Sequence, residues 1–171
     1  MLLWFTMLFS MNECDSLDYD HLKQCSLFGG VTEQAFDQIR PQIRMMCFHT
    51  GDDIVTEGAV NDRIYFLHHG SVAILKKTTT DQREKEQLIT EMHEGDTFGE
   101  MELIDIQPCA ATVRALEETT TLSLSNHDLY QLSRHDMKTF ALIVMNLARE
   151  ISRRLRRMDS LLAAHPDSFE V

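Results

Sequence analysis

Residues 98–115 read FGEMELIDIQPCAATVRA, and this stretch decides the interpretation of the whole chain. Gly99 permits a backbone conformation and a close approach that a side chain would block. Glu100 begins a short segment to Asp105 that is predicted to form about one helical turn, whose first N–H groups suit a phosphate. The carboxylate of Glu100 is placed to accept hydrogen bonds from sugar hydroxyls. Pro108 ends this excursion, and the remaining residues are predicted to resume a strand.

The segments around this stretch predict a β-rich domain. From residue 45 to residue 125, brief apolar runs alternate with glycines and acidic turns, which indicates short antiparallel strands of a sandwich, barrel or roll. The polar segment TTTDQREKE, residues 78–86, is expected to be the solvated tip of a hairpin. Before the strands, Thr32 is expected to be the N-cap of the second of two short helices.

After the strands, the chain is predicted to be helical. Asn126 is expected to cap a helix that runs to about Arg134, and a longer helix follows from Asp136. Apolar side chains recur along it at steps of three or four, at Met137, Phe140, Val144, Leu147, Ile151, Leu155, Met158 and Leu162. This stripe favours pairing with a partner helix, with packing inside the same chain as the alternative. The basic run at residues 152–158 is interpreted as a solvated flank of the stripe.

Composition excludes several functional classes. The 171 residues include 27 acidic and 16 basic side chains, and the net charge of -11 repels nucleic acid. The four cysteines lack the spacing of a metal cluster, and His68 and His69 point to opposite faces of a predicted strand, so no metal site is expected. No Walker loop, Rossmann fingerprint, nucleophile elbow or H-E-x-x-H motif occurs, so the protein is not expected to be an enzyme. This cysteine usage suits a reducing cytoplasm.

The apolar N-terminus, MLLWFTMLF, is the other unusual feature. Nine residues are about half of what a membrane span needs, and the basic leader and cleavage site of a signal peptide are missing, so no transmembrane segment is expected. We expect a short helix that docks on the domain or on a second subunit, with a membrane-surface anchor as the alternative. The predicted organisation is an extension at 1–16, helices at 17–44, a β unit at 45–125 and C-terminal helices at 126–165.

With these features the chain resembles the cyclic nucleotide-binding domain family over about residues 20–162. The run GDDIVTEGAVNDRIYFLHHGSVAIL, residues 51–75, is similar to the early strands of that family. Within residues 98–115, which we call the cassette, the match covers Phe98, Gly99, Glu100, Leu103, Ile104, Pro108, Ala110, Ala111 and Thr112. The resemblance implies an α+β fold: an antiparallel, jelly-roll-like β-roll of about eight strands, with short N-terminal helices and a long C-terminal helix.

The resemblance also implies a ligand-binding site. In the family, a cyclic phosphate is held by backbone amides of the cassette turn, by the strand after it and by one arginine. Carried over to this sequence, the amide contacts are Gly99, Met101 and Glu102, and the partner of the ribose is Glu100. Ala110 is the first strand residue beside the ligand, and because it lacks a hydroxyl group we expect cAMP to be preferred over cGMP.

Two departures from the family pattern concern the charge of this site. Cys109 takes the position of the arginine, and Glu102 places a carboxylate where a small residue is usual. Loss of the arginine contact costs on the order of 3 kcal/mol, or roughly two decades of affinity. Arg114 lies roughly 16 Å further along an extended strand, so we do not expect it to replace the missing charge. Cys109 could instead be a redox-responsive thiol.

The sequence therefore leaves two main interpretations of function. One is a stand-alone regulatory module that senses, or formerly sensed, a cyclic nucleotide and signals to an output protein through its C-terminal helix. The other is a ligand-free interaction or dimerisation domain. In both, a homodimer through helix 137–162 is expected. Only about nine residues follow this helix, too few for a helix-turn-helix, so direct DNA binding is not expected. No cofactor is expected apart from a possible cyclic nucleotide ligand, cAMP or cGMP.

Overall fold

The strands form two antiparallel sheets in the computed structural model, which describes residues 25–80, 83–105 and 107–164. In these residues there are eight strands, in the orders β1-β8-β3-β6 and β2-β7-β4-β5. They are β1 (Arg44–Phe48), β2 (Asp53–Val55), β3 (Arg63–His69), β4 (Ser71–Thr80), β5 (Arg83–His93), β6 (Thr97–Phe98), β7 (Thr112–Ala115) and β8 (Thr119–Ser125). This is the β-roll flanked by helices that the sequence predicts. The predicted extension at 1–16 and the first part of the N-terminal helical region lie outside the described residues.

Strand β3 divides the apolar side chains between two cores. Because neighbouring side chains of a strand point to opposite faces, Ile64 and Phe66 pack with the helices, whereas Tyr65 and Leu67 point between the two sheets. Strand β3 is covered on both faces, which explains why four consecutive residues of it are buried. The sheet that contains β3 is therefore covered on one face by the helices and on the other by the second sheet.

Four α-helices flank the roll within the described residues, together with short 3₁₀ turns at Ser26–Phe28 and Arg40–Gln42. They are α1 (Glu33–Ile39), α2 (Glu100–Asp105), α3 (Asn126–His135) and α4 (Met137–Ala164). Thr32 caps α1 as predicted, because its Oγ1 accepts a hydrogen bond from the backbone N–H of Ala35 at 3.3 Å. No helix in the described part of the chain combines the length and the apolar character needed to cross a membrane.

Two local predictions were wrong. Ser125, and not Asn126, is the N-cap of α3, because its Oγ accepts from the N–H of Asp128 at 3.1 Å while the Asp128 carboxylate accepts from the N–H of Ser125 at 2.9 Å. The segment at 78–86 is largely strand, since β4 and β5 pair up to the partners Thr80 and Arg83. Its threonines favour a strand, and its charged side chains can be solvated on an exposed two-stranded ribbon.

Helix α4 changes its environment along its length. Ile143 and Leu147 are buried in the helical core, and the side-chain amide of Asn146 donates to the backbone oxygens of Leu27 at 3.0 Å and Gly29 at 2.8 Å. From residue 155 to residue 164, by contrast, every residue is exposed. The predicted apolar stripe is therefore partly core and partly surface.

Candidate functional site

The cassette begins at a stacked pair of aromatic rings. Tyr65 on β3 and Phe98 on β6 are strand partners, and their ring centroids lie 5.0 Å apart at an interplanar angle of 11°. Both side chains are buried, and burial raises the pKa of the Tyr65 hydroxyl. The pair holds β6 against β3, so that the chain turns into α2 at a fixed place.

Gly99 is required at this turn. Its φ of +78° lies in the left-handed region that favours glycine, and a Cβ atom here would lie 2.6 Å from the backbone oxygen of Arg63. The predicted close approach of the backbone is thus confirmed. Its physical cause is contact with β3 inside the protein.

Four of the predicted site residues line one cavity of about 100 Å³: Gly99, Glu100, Met101 and Ala110. Glu100 is buried, whereas Met101 and Ala110 are exposed. Apolar side chains form the walls, from Val55, Ile74, Met92, Phe98 and Val113. The cavity thus combines a buried carboxylate with an apolar surface. The backbone of Glu102 lies in α2, but its side chain is outside the described part of the structure.

Cys109 is placed differently from these four residues. It is 3% exposed and packs in the apolar cluster between the sheets, with Tyr65 and Phe98 among its members. Its N–H donates to the backbone oxygen of Ala59 at 2.8 Å, and its own oxygen accepts from the N–H of Gly58 at 2.8 Å. The thiol therefore packs as a small hydrophobic group, and its burial argues against a redox-responsive role, which needs an accessible sulfur.

The chain returns to the sheet later than the sequence predicts. Strand β7 begins at Thr112, so the expectation that the strand resumes at Cys109 was wrong. The reason is that the backbone of Cys109 pairs with the loop at residues 58–59, before the chain bends at Ala110 into the sheet.

A residue that the sequence analysis missed contacts the predicted ribose partner. Arg154 of α4 lines the same cavity and donates from Nη1 to Oε1 of Glu100 at 2.8 Å. It also donates to the backbone oxygen of Thr97 and, at 3.3 Å, to the Thr97 hydroxyl oxygen. The side chains of Arg154 and Glu100 are only 20% and 7% exposed. The interpretation of residues 152–158 as a solvated flank is therefore wrong for Arg154.

Lys76 is a second residue that the sequence analysis did not identify, and its charged group lies beside the cassette. Nζ of Lys76 donates to the backbone oxygen of Ala110 at 2.5 Å and pairs with Oε1 of Glu57 at 2.7 Å. The hydrogen bond from Lys76 lowers the pKa of the Glu57 carboxyl group, and a further bond from the N–H of Lys77 acts in the same direction. The ammonium group is thus held next to the cassette, but its charge is shared with a carboxylate.

Arg114 is directed away from the cavity. Its guanidinium group contacts Asp53 at 2.6 Å and Glu86 at 2.7 Å. These two carboxylates raise the pKa of Arg114 further above its usual range. The structure thus places Arg114 in a network on the outer surface of the sheet, which is consistent with the expectation that it does not serve the cassette.

Curated proteins similar to the chain include two regulators. It is 27% identical over 113 residues to the cAMP-dependent protein kinase regulatory subunit of Debaryomyces hansenii, which covers 66% of this chain and 24% of that protein. It is 28% identical over 142 residues to the CRP-like cAMP-activated global transcriptional regulator of Mycobacterium tuberculosis, which covers 83% of this chain and 60% of that protein. The chain therefore spans less than two thirds of the length of either relative.

The fold is also similar to solved structures. A cyclic nucleotide-binding domain from Methylobacillus flagellatus superposes with a TM-score of 0.77 at 22% identity, covering 89% of this chain and 83% of that one. At this identity the similarity concerns the fold alone. Residues 45–136, more than half of the 171 residues, match the family described as cyclic nucleotide-binding domain. The chain therefore belongs to the cyclic nucleotide-binding domain family.

Proposed function

We propose that this chain is a non-enzymatic regulatory module of the cytoplasm that binds a cyclic nucleotide weakly at the cassette and signals through α4. The observation that carries this proposal is that the predicted site residues of the cassette lie in two different environments. Glu100 faces the cavity together with Gly99, Met101 and Ala110, whereas Cys109 is a buried thiol outside the cavity lining. The site thus has a carboxylate for a sugar and backbone groups for further contacts. Cys109 supplies no charge for the phosphate, and Arg154, the cation in the cavity lining, is already paired with Glu100.

The proposed weak affinity follows from the charges around the cassette. A thiol packed among apolar side chains supplies no positive charge where the family has its arginine. Lys76 is the cation beside Ala110, but a lysine is a point charge without the bidentate geometry of arginine, and Glu57 already pairs with it. We therefore expect contact with the sugar and the backbone to contribute most of the binding free energy.

We propose cAMP as the preferred nucleotide. The names of the two relatives describe a cAMP-dependent and a cAMP-activated protein. In this chain Ala110 lines the cavity without a hydroxyl group that could favour guanine. The apolar walls, Val55, Ile74 and Met92, suit a purine surface.

Nuclear magnetic resonance tests this proposal on the unmodified chain. Titration with cAMP should shift the backbone amide signals of Gly99, Glu100 and Ala110, with a dissociation constant of roughly 0.1 mM or weaker because the phosphate cation is missing. cGMP should give smaller shifts at the same concentration. Saturable shifts at the helical core instead of the cassette, or none with either nucleotide at millimolar concentration, would contradict the proposal.

The second candidate function is a ligand-free interaction domain. Two observations favour it. The carboxylate of Glu100 is already bonded to Arg154. The cavity has a volume of only about 100 Å³, whereas ligand pockets usually begin at about 300 Å³. In this alternative the roll serves as a scaffold for α4. Direct contact with DNA is part of neither proposal, and the output protein is a partner yet to be identified.

The exposed part of α4 supports a homodimer in either case. Leu155, Met158, Leu161 and Leu162 are 59%, 54%, 59% and 47% exposed within the described structure. Of these, Leu155, Met158 and Leu162 belong to the predicted stripe at 137–162, whose seven-residue pattern is typical of a helix that pairs with a second copy. We therefore propose a two-fold dimer formed by this helix.

Light scattering of two variants tests the dimer. Leu155→Glu places a carboxylate in the proposed helix pair and should convert the dimer to a monomer, because an unpaired charge would be buried. Ser160→Glu, on the opposite side of the same exposed helix, should leave the dimer intact. A monomeric unmodified chain, or equal effects of both substitutions, would contradict the proposed interface.

A further inference from the structure

A large apolar groove is lined by side chains of α3 and α4. Its volume is about 740 Å³, which lies inside the usual range of ligand pockets and far above the volume of the cassette cavity. Buried side chains of Leu129, Ile143 and Leu147 line it, together with Ile104 of α2 and Tyr130 of α3, which are 57% and 60% exposed. The described residues thus leave uncovered an apolar surface of the kind that proteins usually bury against an occupant.

Most of the groove is separate from the surface proposed for the dimer. Leu155 lines the groove, but the other exposed side chains proposed for the helix pair, Met158, Leu161 and Leu162, lie outside its lining. Nearer to the start of α4, Phe140 lines the groove and packs against the helical core. A helix pair at the exposed end of α4 therefore leaves most of the groove to another occupant.

The apolar N-terminal segment, residues 1–9, has the composition of such an occupant. None of its side chains is charged, and Thr6 alone is polar. A helix formed by these residues, as the sequence predicts, would be apolar on every side, and helices of this kind are buried. The aromatic side chains of Trp4, Phe5 and Phe9 bury large areas and suit a groove of this volume.

The connection between this segment and the described chain allows it to reach the groove. The described chain begins at Cys25, which is buried in the helical core with Ile143 and Leu147, and these two side chains also line the groove. Residues 10–24 can extend over roughly 50 Å, more than the roughly 30 Å diameter of a small domain. A tethered segment has an effective concentration in the millimolar range, which favours the groove of its own chain over that of a second copy.

The charges of the connection act in the same direction. Residues 10–24 contain one lysine and four acidic side chains: Glu13, Asp15, Asp18 and Asp20. Arg156 and Arg157 directly follow Leu155 of the groove, are exposed, and form no ion pair with any described residue. The acidic connection and this basic part of α4 therefore attract each other, in a chain whose net charge is -11.

We propose that residues 1–9 bind in the groove of their own chain, with their aromatic side chains against Ile104, Tyr130 and Val144. Val144 is 42% exposed and lies in the groove lining, so its side chain is available for this contact. The bound segment covers the groove and shields it from other apolar surfaces, whereas the exposed end of α4 remains available for a second copy. This inference is independent of any ligand at the cassette.

The fluorescence of Trp4 tests the proposal on the unmodified chain, because this is the single tryptophan of the sequence. Its emission in the folded chain should be shifted to the blue relative to the chain unfolded in urea, and acrylamide should quench it several-fold less efficiently. Tyr130→Glu and Val144→Glu each place a carboxylate in the groove lining. Both should shift the emission to the red and raise the quenching several-fold, because a bound segment would bury this charge.

Two exposed residues outside the groove lining provide matched controls. His127→Glu on α3 and Met145→Glu on α4 introduce the same charge on the same helices, and should change neither the emission nor the quenching of Trp4. Circular dichroism verifies that all four variants are folded. Emission unchanged by Tyr130→Glu and Val144→Glu would overturn the proposal. An exposed Trp4 in the unmodified chain would also overturn it, and a blue shift on adding vesicles of phosphatidylcholine and phosphatidylglycerol would then assign the segment to a membrane surface.

Mixing two variants distinguishes binding within one chain from binding to a second copy. Tyr130→Glu, whose own groove is blocked, is mixed with an excess of Trp4→Asp, which has no tryptophan and an intact groove that its own charged segment fills poorly. After exchange of subunits, Trp4 of the first variant should remain as accessible to acrylamide as before mixing. A return of the blue-shifted, protected emission would overturn binding within one chain, and would assign the groove to the segment of a second copy.

Discussion

Replacing Gly99 by alanine is expected to lower the free energy of unfolding by about 3 kcal/mol, because a residue with a Cβ atom loses roughly 1–2 kcal/mol in the left-handed region and overpacking adds about 1–3 kcal/mol. The new Cβ atom would lie 2.6 Å from the backbone oxygen of Arg63 and 3.0 Å from Nδ2 of Asn61. The backbone of β3 cannot yield without disturbing the sheet. The cassette should therefore move, and cAMP binding should be lost with it.

Gly95→Ala is the matched control for this prediction. Gly95 has a similar φ of +93°, but a Cβ atom there has no neighbour within 4 Å. Only the conformational penalty should remain. Denaturant unfolding of Gly95→Ala should therefore show about half, or less, of the loss in unfolding free energy expected for Gly99→Ala. Equal losses for the two variants would show that the contact with β3 contributes nothing.

The double variant Cys109→Arg with Glu102→Ala is expected to bind cAMP about 100-fold more tightly than the unmodified chain, since a bidentate arginine–phosphate contact is restored and a repulsive carboxylate is removed. The backbone of Gly99 and the carboxylate of Glu100 already line the cavity that the new guanidinium would serve. The buried position of Cys109 implies that part of the arginine stem packs between the sheets.

Two controls separate charge from volume in this experiment. Cys109→Met with Glu102→Ala introduces a side chain of comparable stem length without a charge, and should give no more than a small gain. Overpacking should cost both double variants about 1–3 kcal/mol of stability, which thermal unfolding verifies. Equal gains in affinity for the arginine and methionine variants would indicate that volume, and not charge, limits binding.

The parts of the fold that could be predicted from sequence are those with local signals. Alternating apolar residues and turn glycines indicate the strands, and Thr32 carries its own capping signal. The roll and the long C-terminal helix followed from the pattern and from the family resemblance. Even so, the N-cap of α3 was assigned to Asn126 instead of its neighbour Ser125, because the choice depends on the Asp128 carboxylate reaching back to one particular backbone N–H.

The site could be predicted only in part, because some of its contacts join residues that are far apart in the sequence. Gly99, Glu100, Met101 and Ala110 are close in sequence and share one cavity. Arg154 lies 54 residues from Glu100, and its contact depends on how α4 packs. One signal was nevertheless present: at steps of four and three, Leu147, Ile151 and Arg154 share a helix face, so this arginine belongs to the packed side.

Lys76 illustrates the limit of searching for a cation near in sequence. Arg114 was considered because it is close to Cys109, yet it binds Asp53 and Glu86 instead. Lys76 comes from β4 and reaches the backbone oxygen of Ala110 only because β4 and β7 pair in the sheet. The pairing of distant strands, which local sequence patterns do not reveal, decides which charges surround the cassette.

Calorimetric titration of cAMP into the unmodified chain and the arginine double variant, side by side, tests most directly whether a missing cation limits this site. The account predicts a dissociation constant of roughly 0.1 mM or weaker for the unmodified chain and about 1 µM for the double variant. Micromolar affinity in the unmodified chain would contradict the account, and its loss in Lys76→Met would identify Lys76 as the substitute cation. A folded double variant with no gain in affinity for cAMP would also contradict the account, and would favour the alternative of a ligand-free dimerisation domain.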